Sequence, residues 1–182
     1  MNRRRQESNL ARIWRRTGPT TRLIVGSVLV ALVWWVGLRS DSALGTSLPW
    51  PLALLCAAVG WGRVGLAIRP MAALLALGLL YDISAAAPLG SHAIIALATY
   101  GFHAAMGSAL DFDRDPILSS IRPIISLALG FGLLWFVASS ASGHAAAVWP
   151  MIASFLTTSA AYLVLKAPLN LGERPVSASG GM

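Results

Sequence analysis

The stretch MAALLALGLLYDISAAAPLGSHAIIALATYGFHAAMGSAL, from Met71 to Leu110, holds two apolar runs, Met71–Ala87 and Ala93–Leu110, parted by the turn Pro88-Leu89-Gly90-Ser91. Proline and glycine stop the first run, and Ser91 suits the N-cap of a following helix. Each run approaches the roughly 20 apolar residues that cross a ~30 Å hydrocarbon core as helix. Four more runs lie outward from this pair: Leu23–Leu38, Leu48–Gly62, Ile124–Ser140 and Ala145–Leu165. Arg39-Ser40-Asp41 with Pro49, the segment Arg63 to Pro70, the polar loop Asp111 to Pro116 and the hinge Ser142-Gly143-His144 punctuate them. The pattern predicts an all-α polytopic membrane bundle of about six transmembrane helices over residues 23–166. A basic arm, 1–22, precedes it. A flexible tail, 167–182, follows, and the Pro-, Ser- and Gly-bearing end from Glu173 to Met182 reads as disordered. The second and third spans look short and open to a re-entrant arrangement.

Composition agrees with this class. The chain has 182 residues, 56% hydrophobic and 12% charged, with a mean hydropathy of +0.68. Soluble domains carry about 25% charged residues. A soluble enzyme and a disordered chain are therefore both excluded, the latter because disorder needs low hydrophobicity. The single cysteine, Cys56, forms neither an internal disulfide nor a cysteine metal site and reads as a small hydrophobe.

The net charge is +7, and seven of the fourteen basic residues fall in the first 22 positions: Arg3, Arg4, Arg5, Arg12, Arg15, Arg16 and Arg22. Such an arm binds phosphates or holds an N-terminus on the cytoplasmic face. The apolar run starting at Leu23 favours the membrane reading, with the arm on anionic lipid and no nucleic acid as partner. A cleaved signal peptide is the alternative, with Ala43-Leu44-Gly45 as a weak site. Leu23–Leu38 is long for such a segment, so a retained first helix is expected. With six helices and a cytoplasmic N-terminus, Arg63, Arg69, Arg114, Arg122, Lys166 and Arg174 join the arm inside, leaving Arg39 alone outside. That distribution obeys the positive-inside rule. Trp34, Trp35, Trp50 and Trp149 fall near outer helix ends and Trp61 near an inner one, as an aromatic belt would place them.

Asp82 is the one acidic residue that this topology places inside the membrane. Counting ~1.5 Å per residue from Pro88 puts it roughly 9 Å below the outer helix end. An intramembrane carboxylate is a functional candidate by default unless it satisfies backbone groups. Its expected donors are the loosened backbone near Ser84 and the hydroxyl of Tyr100, placed at similar depth on the antiparallel fourth helix. For a hydrogen-bonding role, asparagine at position 82 would keep most function. His103 reads as a packed core histidine, and neither His92 nor His144 converges on it. Thr157, Thr158 and Ser159 are expected to bond back to their own turn. Ala93, Gly101, Ala105 and Ala109 form a small-residue stripe for packing within the bundle. Asp111, Asp113 and Asp115 with Arg114 read as a solvated loop. A Gly-x-Ser-x-Gly elbow, paired intramembrane carboxylates, His-Glu-x-x-His and a phosphate loop are all missing from the sequence. No catalysis, metal or cofactor is expected.

Arg69-Pro70, then Gly78-Leu79-Leu80-Tyr81-Asp82, then Pro88-Leu89-Gly90-Ser91-His92-Ala93, ending near Tyr100, resembles the MreD family of rod-shape-determining membrane proteins. The family pattern is a Gly four residues before an Asp, a small-residue stretch, a Leu-Gly turn and an aliphatic helix ending in Tyr. The Arg-rich arm and the tail depart from many members. The resemblance implies a non-catalytic scaffold of lateral wall synthesis in the bacterial inner membrane, with both termini cytoplasmic. Its partners would be an MreC-like bitopic protein and, through it, MreB and the RodA–transpeptidase complex. Gly78, Asp82, Pro88, Leu89, Gly90 and Tyr100 would form the motif and shape the partner surface. The family is similar in fold to the substrate-binding components of energy-coupling-factor transporters, so a vitamin-type ligand binder is the alternative. The short, nearly uncharged outer connections favour the scaffold.

Overall fold

The computed structural model describes residues 17–39, 49–109 and 116–172. Most of the basic arm, the possible cleavage site, Asp111 to Asp115 and the end of the tail lie outside them. Among the described residues there are six helices and no strands: α1 (Pro19–Arg39), α2 (Ala53–Gly62), α3 (Ile68–Ser84), α4 (Ser91–Ala109), α5 (Pro116–Ser142) and α6 (Val148–Leu165). They stand where the six apolar runs stand. Within three of them, Pro19–Gly37, Ser119–Ser142 and Val148–Leu165 are long and apolar enough to cross a membrane. Around an apolar core, several polar side chains are buried while many large apolar ones face outward. Asp82, Thr99, His103, Arg122, Ser126 and Thr158 are buried, whereas Ile24, Val28, Leu32, Phe136, Leu156 and Val164 are exposed. A water-soluble domain rarely exposes so much apolar surface, because large apolar patches are costly in water.

The interior belongs to α2. Its sequence, ALLCAAVGWG, has no charged residue, and all ten of its residues are buried. A helix that is apolar all round is stable only when surrounded, and α2 packs against every other helix. Ten residues rise only about 15 Å, half a hydrocarbon core. The expected span Leu48–Gly62 is therefore only partly helical. Its irregular start is held by side chains: the Trp50 indole donates to the Val33 carbonyl (2.7 Å), and Leu52 N–H donates to Thr158 Oγ1 (3.0 Å). Irregular backbone survives at membrane depth only when protein satisfies it in this way. Thr158 thus reaches across to Leu52 and not back to its own turn, as Thr157 does to Ser154.

Neighbouring segments run antiparallel. Trp50 lies by Val33 and Trp61 by Gly26, so the α2 segment descends along α1. Asp82 meets Gly90, Arg122 meets His103, and Trp135 meets Ala146, so α3, α4, α5 and α6 alternate in direction. This ladder gathers Arg22, Arg63, Arg69, Arg122 and Lys166 at one end, the basic end, and sets the turn between α3 and α4 at the other, the far end.

Several finer expectations give way. Trp61 is fully buried in the core and is no belt residue. The stripe on α4 is not a packing seam: Ala93 is buried, but Gly101 faces open space and Ala105 is exposed. Helix α5 begins at Pro116 and continues through Pro123, earlier than the expected Ile124. Proline at a first helical position costs nothing, because its missing N–H is unpaired there anyway.

Candidate functional site

The far end is organised by Asp82. Helix α3 stops at Ser84, so Asp82 lies in its last turn and not deep within the membrane span. Its side chain is 0% exposed and points to the start of α4. Oδ2 accepts from Gly90 N–H (2.7 Å), while Oδ1 accepts from the Ser91 hydroxyl (2.8 Å) and His92 N–H (3.0 Å). The His92 ring Nδ1 lies 2.8 Å from the same Oδ1. The first N–H groups of a helix lack partners within the helix and carry partial positive charge. Asp82 supplies both acceptor and countercharge from the neighbouring helix. It acts as the N-cap of α4 from outside. Ser91, the expected cap, donates to Asp82 instead.

The Gly78–Asp82 spacing follows from this joint. Residues four apart share a helix face, so Gly78 lies one turn below Asp82 against the same stretch of α4. A methyl at Gly78 would overlap the backbone N and Cα of Ala93. Glycine lets the two backbones close, and closure brings the carboxylate within reach of residues 90–92. Gly90 completes the turn with φ +89°, a left-handed conformation that glycine adopts without strain. The Tyr81 ring packs between Trp34 of α1 (5.2 Å between centroids) and His92 (5.7 Å), tying α1 to the joint.

Tyr100 is not part of it. Its hydroxyl donates to the Gly65 carbonyl (2.9 Å) and accepts from Ala67 N–H (2.8 Å), next to the other end of α3. The equal depth expected for Tyr100 and Asp82 fails because Asp82 lies in the last turn of α3 beside the start of α4, whereas Tyr100 is midway along α4 and its hydroxyl reaches the loop before α3. The loosened backbone near Ser84 is also not the partner: Ser84 Oγ bonds the Tyr81 carbonyl, and the Asp82 carbonyl takes Ala87 N–H. Of the motif residues, Gly78, Asp82 and Gly90 come together, Pro88 and Leu89 form the turn beside them, and Tyr100 braces the distant loop. His92 joins the cluster unforeseen. Its offset of ten residues from Asp82 signals nothing until the turn is folded.

A second buried polar cluster sits nearer the basic end. His103 Nδ1 lies 2.8 Å from Ser126 Oγ, whose hydroxyl also reaches the Arg122 carbonyl (3.0 Å). Arg122, expected simply at the cytoplasmic side, is buried, and its Nε (3.1 Å) and Nη2 (2.7 Å) donate to the His103 carbonyl over Gly107. His103 is the packed core residue anticipated, though its Nε2 has no hydrogen-bond partner. Cys56 is buried with Sγ on the Thr158 carbonyl (3.5 Å).

Helix α4 is thus held at three heights: capped by Asp82, pinned by Tyr100 and gripped by Arg122. The Asp82 oxygens take all four donors and no solvent reaches them, so the cluster is a mechanical joint. Among the described residues, no three His, Cys, Asp or Glu side chains gather as metal ligands. Compared with family models, curated proteins and solved structures, the chain has no match.

Proposed function

We propose that the chain is a non-catalytic scaffold in a bacterial inner membrane, serving the lateral wall synthesis that keeps a cell rod-shaped. One observation carries this reading. Of the residues on which the resemblance to the MreD family rests, Gly78, Asp82 and the Pro88–His92 turn make up a single joint around the buried Asp82 carboxylate that fixes α3 against α4, while Arg69 and Tyr100 lie away from it. A motif whose chemistry is spent inside the protein suits a part that presents a shape rather than one that reacts. The joint displays Ile83, Leu89 and Ile94, which are 68%, 75% and 67% exposed, at one end of the bundle. An MreC-like bitopic protein would seat there and link the chain to MreB and the RodA–transpeptidase complex, with both termini of the chain cytoplasmic.

The test combines copurification and shape. In the rod-shaped bacterium that carries the chain, depletion should round the cells, and the tagged chain should copurify in detergent with the MreC-like protein. Asp82→Leu should lose both rod shape and copurification at unchanged membrane abundance. Rods that persist after depletion, with no such protein copurifying, would remove the scaffold reading.

A further inference from the structure

At the basic end, a groove of about 280 Å³ opens between the starts of α1 and α3. Leu23, Trp61, Val64 and Leu171 make its apolar wall, and Thr20 and Arg69 are its polar members. Arg69 is exposed, and among the described residues its guanidinium makes one hydrogen bond, to Thr20 Oγ1 (3.0 Å), so donors remain for a ligand. Neither helix has an acidic residue in its first turn, and Ala67, at the N-cap of α3, makes no side-chain cap. The buried Trp61 indole in the same wall has an Nε1 without a hydrogen-bond partner. Arg69 is the one charged residue that lines the groove, and no acidic side chain lines it. An apolar slot whose one charged lining residue is an exposed arginine selects an amphiphile with a negative head.

We propose that this groove binds one anionic glycerophospholipid, its phosphate on Arg69 and one acyl chain along the wall formed by Leu23, Val64 and Trp61. A guanidinium pairs bidentately with phosphate oxygens, and the groove's size suits part of one chain rather than a whole lipid. The inference rests on the membrane part of the function proposed above and is independent of wall synthesis. It also differs from simple adhesion of the arm to the leaflet, because it places the lipid against named residues of the bundle.

Brominated acyl chains quench nearby tryptophan. The full chain is reconstituted in phosphatidylcholine vesicles carrying either brominated phosphatidylglycerol or brominated phosphatidylcholine, and the Trp61 signal is taken as the difference from Trp61→Phe. Quenching of Trp61 should favour phosphatidylglycerol by about fivefold in lipid fraction, the effect of one basic residue at an anionic surface. Arg69→Gln should abolish the preference and Arg69→Lys restore it. Replacing Arg3, Arg4, Arg5, Arg12, Arg15 and Arg16 with Gln should leave it in place. Equal quenching by both lipids, a preference that survives Arg69→Gln, or one that vanishes with the arm would each overturn the site. Alkaline extraction of the same vesicles separates the two readings: a chain that washes off refutes the membrane assignment itself, whereas an inserted chain without preference refutes only the groove.

Discussion

At the scale of single residues, the joint sets a more exacting demand than hydrogen-bonding capacity alone. Three donors converge on Oδ1 of Asp82 and one on Oδ2. In Asp82→Asn the amide oxygen can keep the first group, but its NH₂ then faces Gly90 N–H, donor against donor. An unsatisfied buried donor costs about 1–3 kcal/mol. Asparagine should therefore be intermediate, and not nearly silent as residue type alone suggests. Asp82→Leu, which strands every donor, should cost several times as much. Thermal unfolding midpoints in one detergent should fall in the order wild type, Asn, Leu; an Asn variant equal to wild type would mean that the Gly90 bond contributes nothing. Gly78 supplies a sharper contrast. A methyl there meets backbone, which cannot turn aside, so Gly78→Ala should cost about 1–3 kcal/mol or more. Gly101→Ala, on the next helix over open space, should be neutral or stabilising by up to about 1 kcal/mol. Equal midpoints for the two variants would refute the close approach.

At the scale of elements, α4 depends on its neighbours for its ends and they depend on it for theirs. The hydroxyl of Tyr100 holds both Gly65 and Ala67, the link by which the short α2 hands over to α3. Tyr100→Phe keeps the ring and strands Ala67 N–H, so a loss of about 1–3 kcal/mol is expected, with faster proteolysis between Arg63 and Arg69. Uniform destabilisation with no new cleavage there would place the effect elsewhere. Much of this framework was legible beforehand. Apolar runs and their punctuation located all six helices, because the signal is local: a helix in or against an apolar medium needs an unbroken row of apolar residues. The turn at Pro88–Ser91 was legible for the same reason, whereas the Gly78–Asp82 pair stood out only through the family resemblance. What was not legible depends on registration between helices. The partner of Asp82 changed from Tyr100 to His92 because the ends of α3 fall three residues earlier than the apolar run suggests. The reach of Arg122 to the His103 carbonyl and of Thr158 to Leu52 likewise follows only from how α5 and α6 sit against the bundle. Hydropathy marked the α2 run as short but gave no sign that its ten helical residues are wholly enclosed, because buried core and lipid-facing surface have the same composition.

At the scale of the whole molecule, the antiparallel ladder makes a statement about sidedness that does not depend on any family resemblance. Six alternating segments return the chain to its starting end, and Arg22 near the start of α1 packs against Gly172 after α6. The two ends of the described chain are therefore neighbours, on the end that carries Arg63, Arg69 and Lys166. In the bacterial membrane proposed for the chain, this end is expected to face the cytoplasm, because basic segments resist translocation. The half-helical α2 segment is the point at which this could fail: if it turned back instead of descending along α1, the chain ends would lie on opposite sides. Cysteine labelling decides between the two. Cys56 is fully buried, so an impermeant maleimide should find little background on the native chain. Leu89, 75% exposed in the far turn, should label in intact spheroplasts when changed by Leu89→Cys. Ser179→Cys in the tail, and an equivalent change at Gln6 in the arm, should label only after permeabilisation. If Ser179→Cys labelled from outside while Gln6→Cys did not, the α2 segment would not cross and the even count would be wrong. Labelling of all three only from inside would instead place the far end, with its Asp82 joint, on the cytoplasmic face, away from any periplasmic partner.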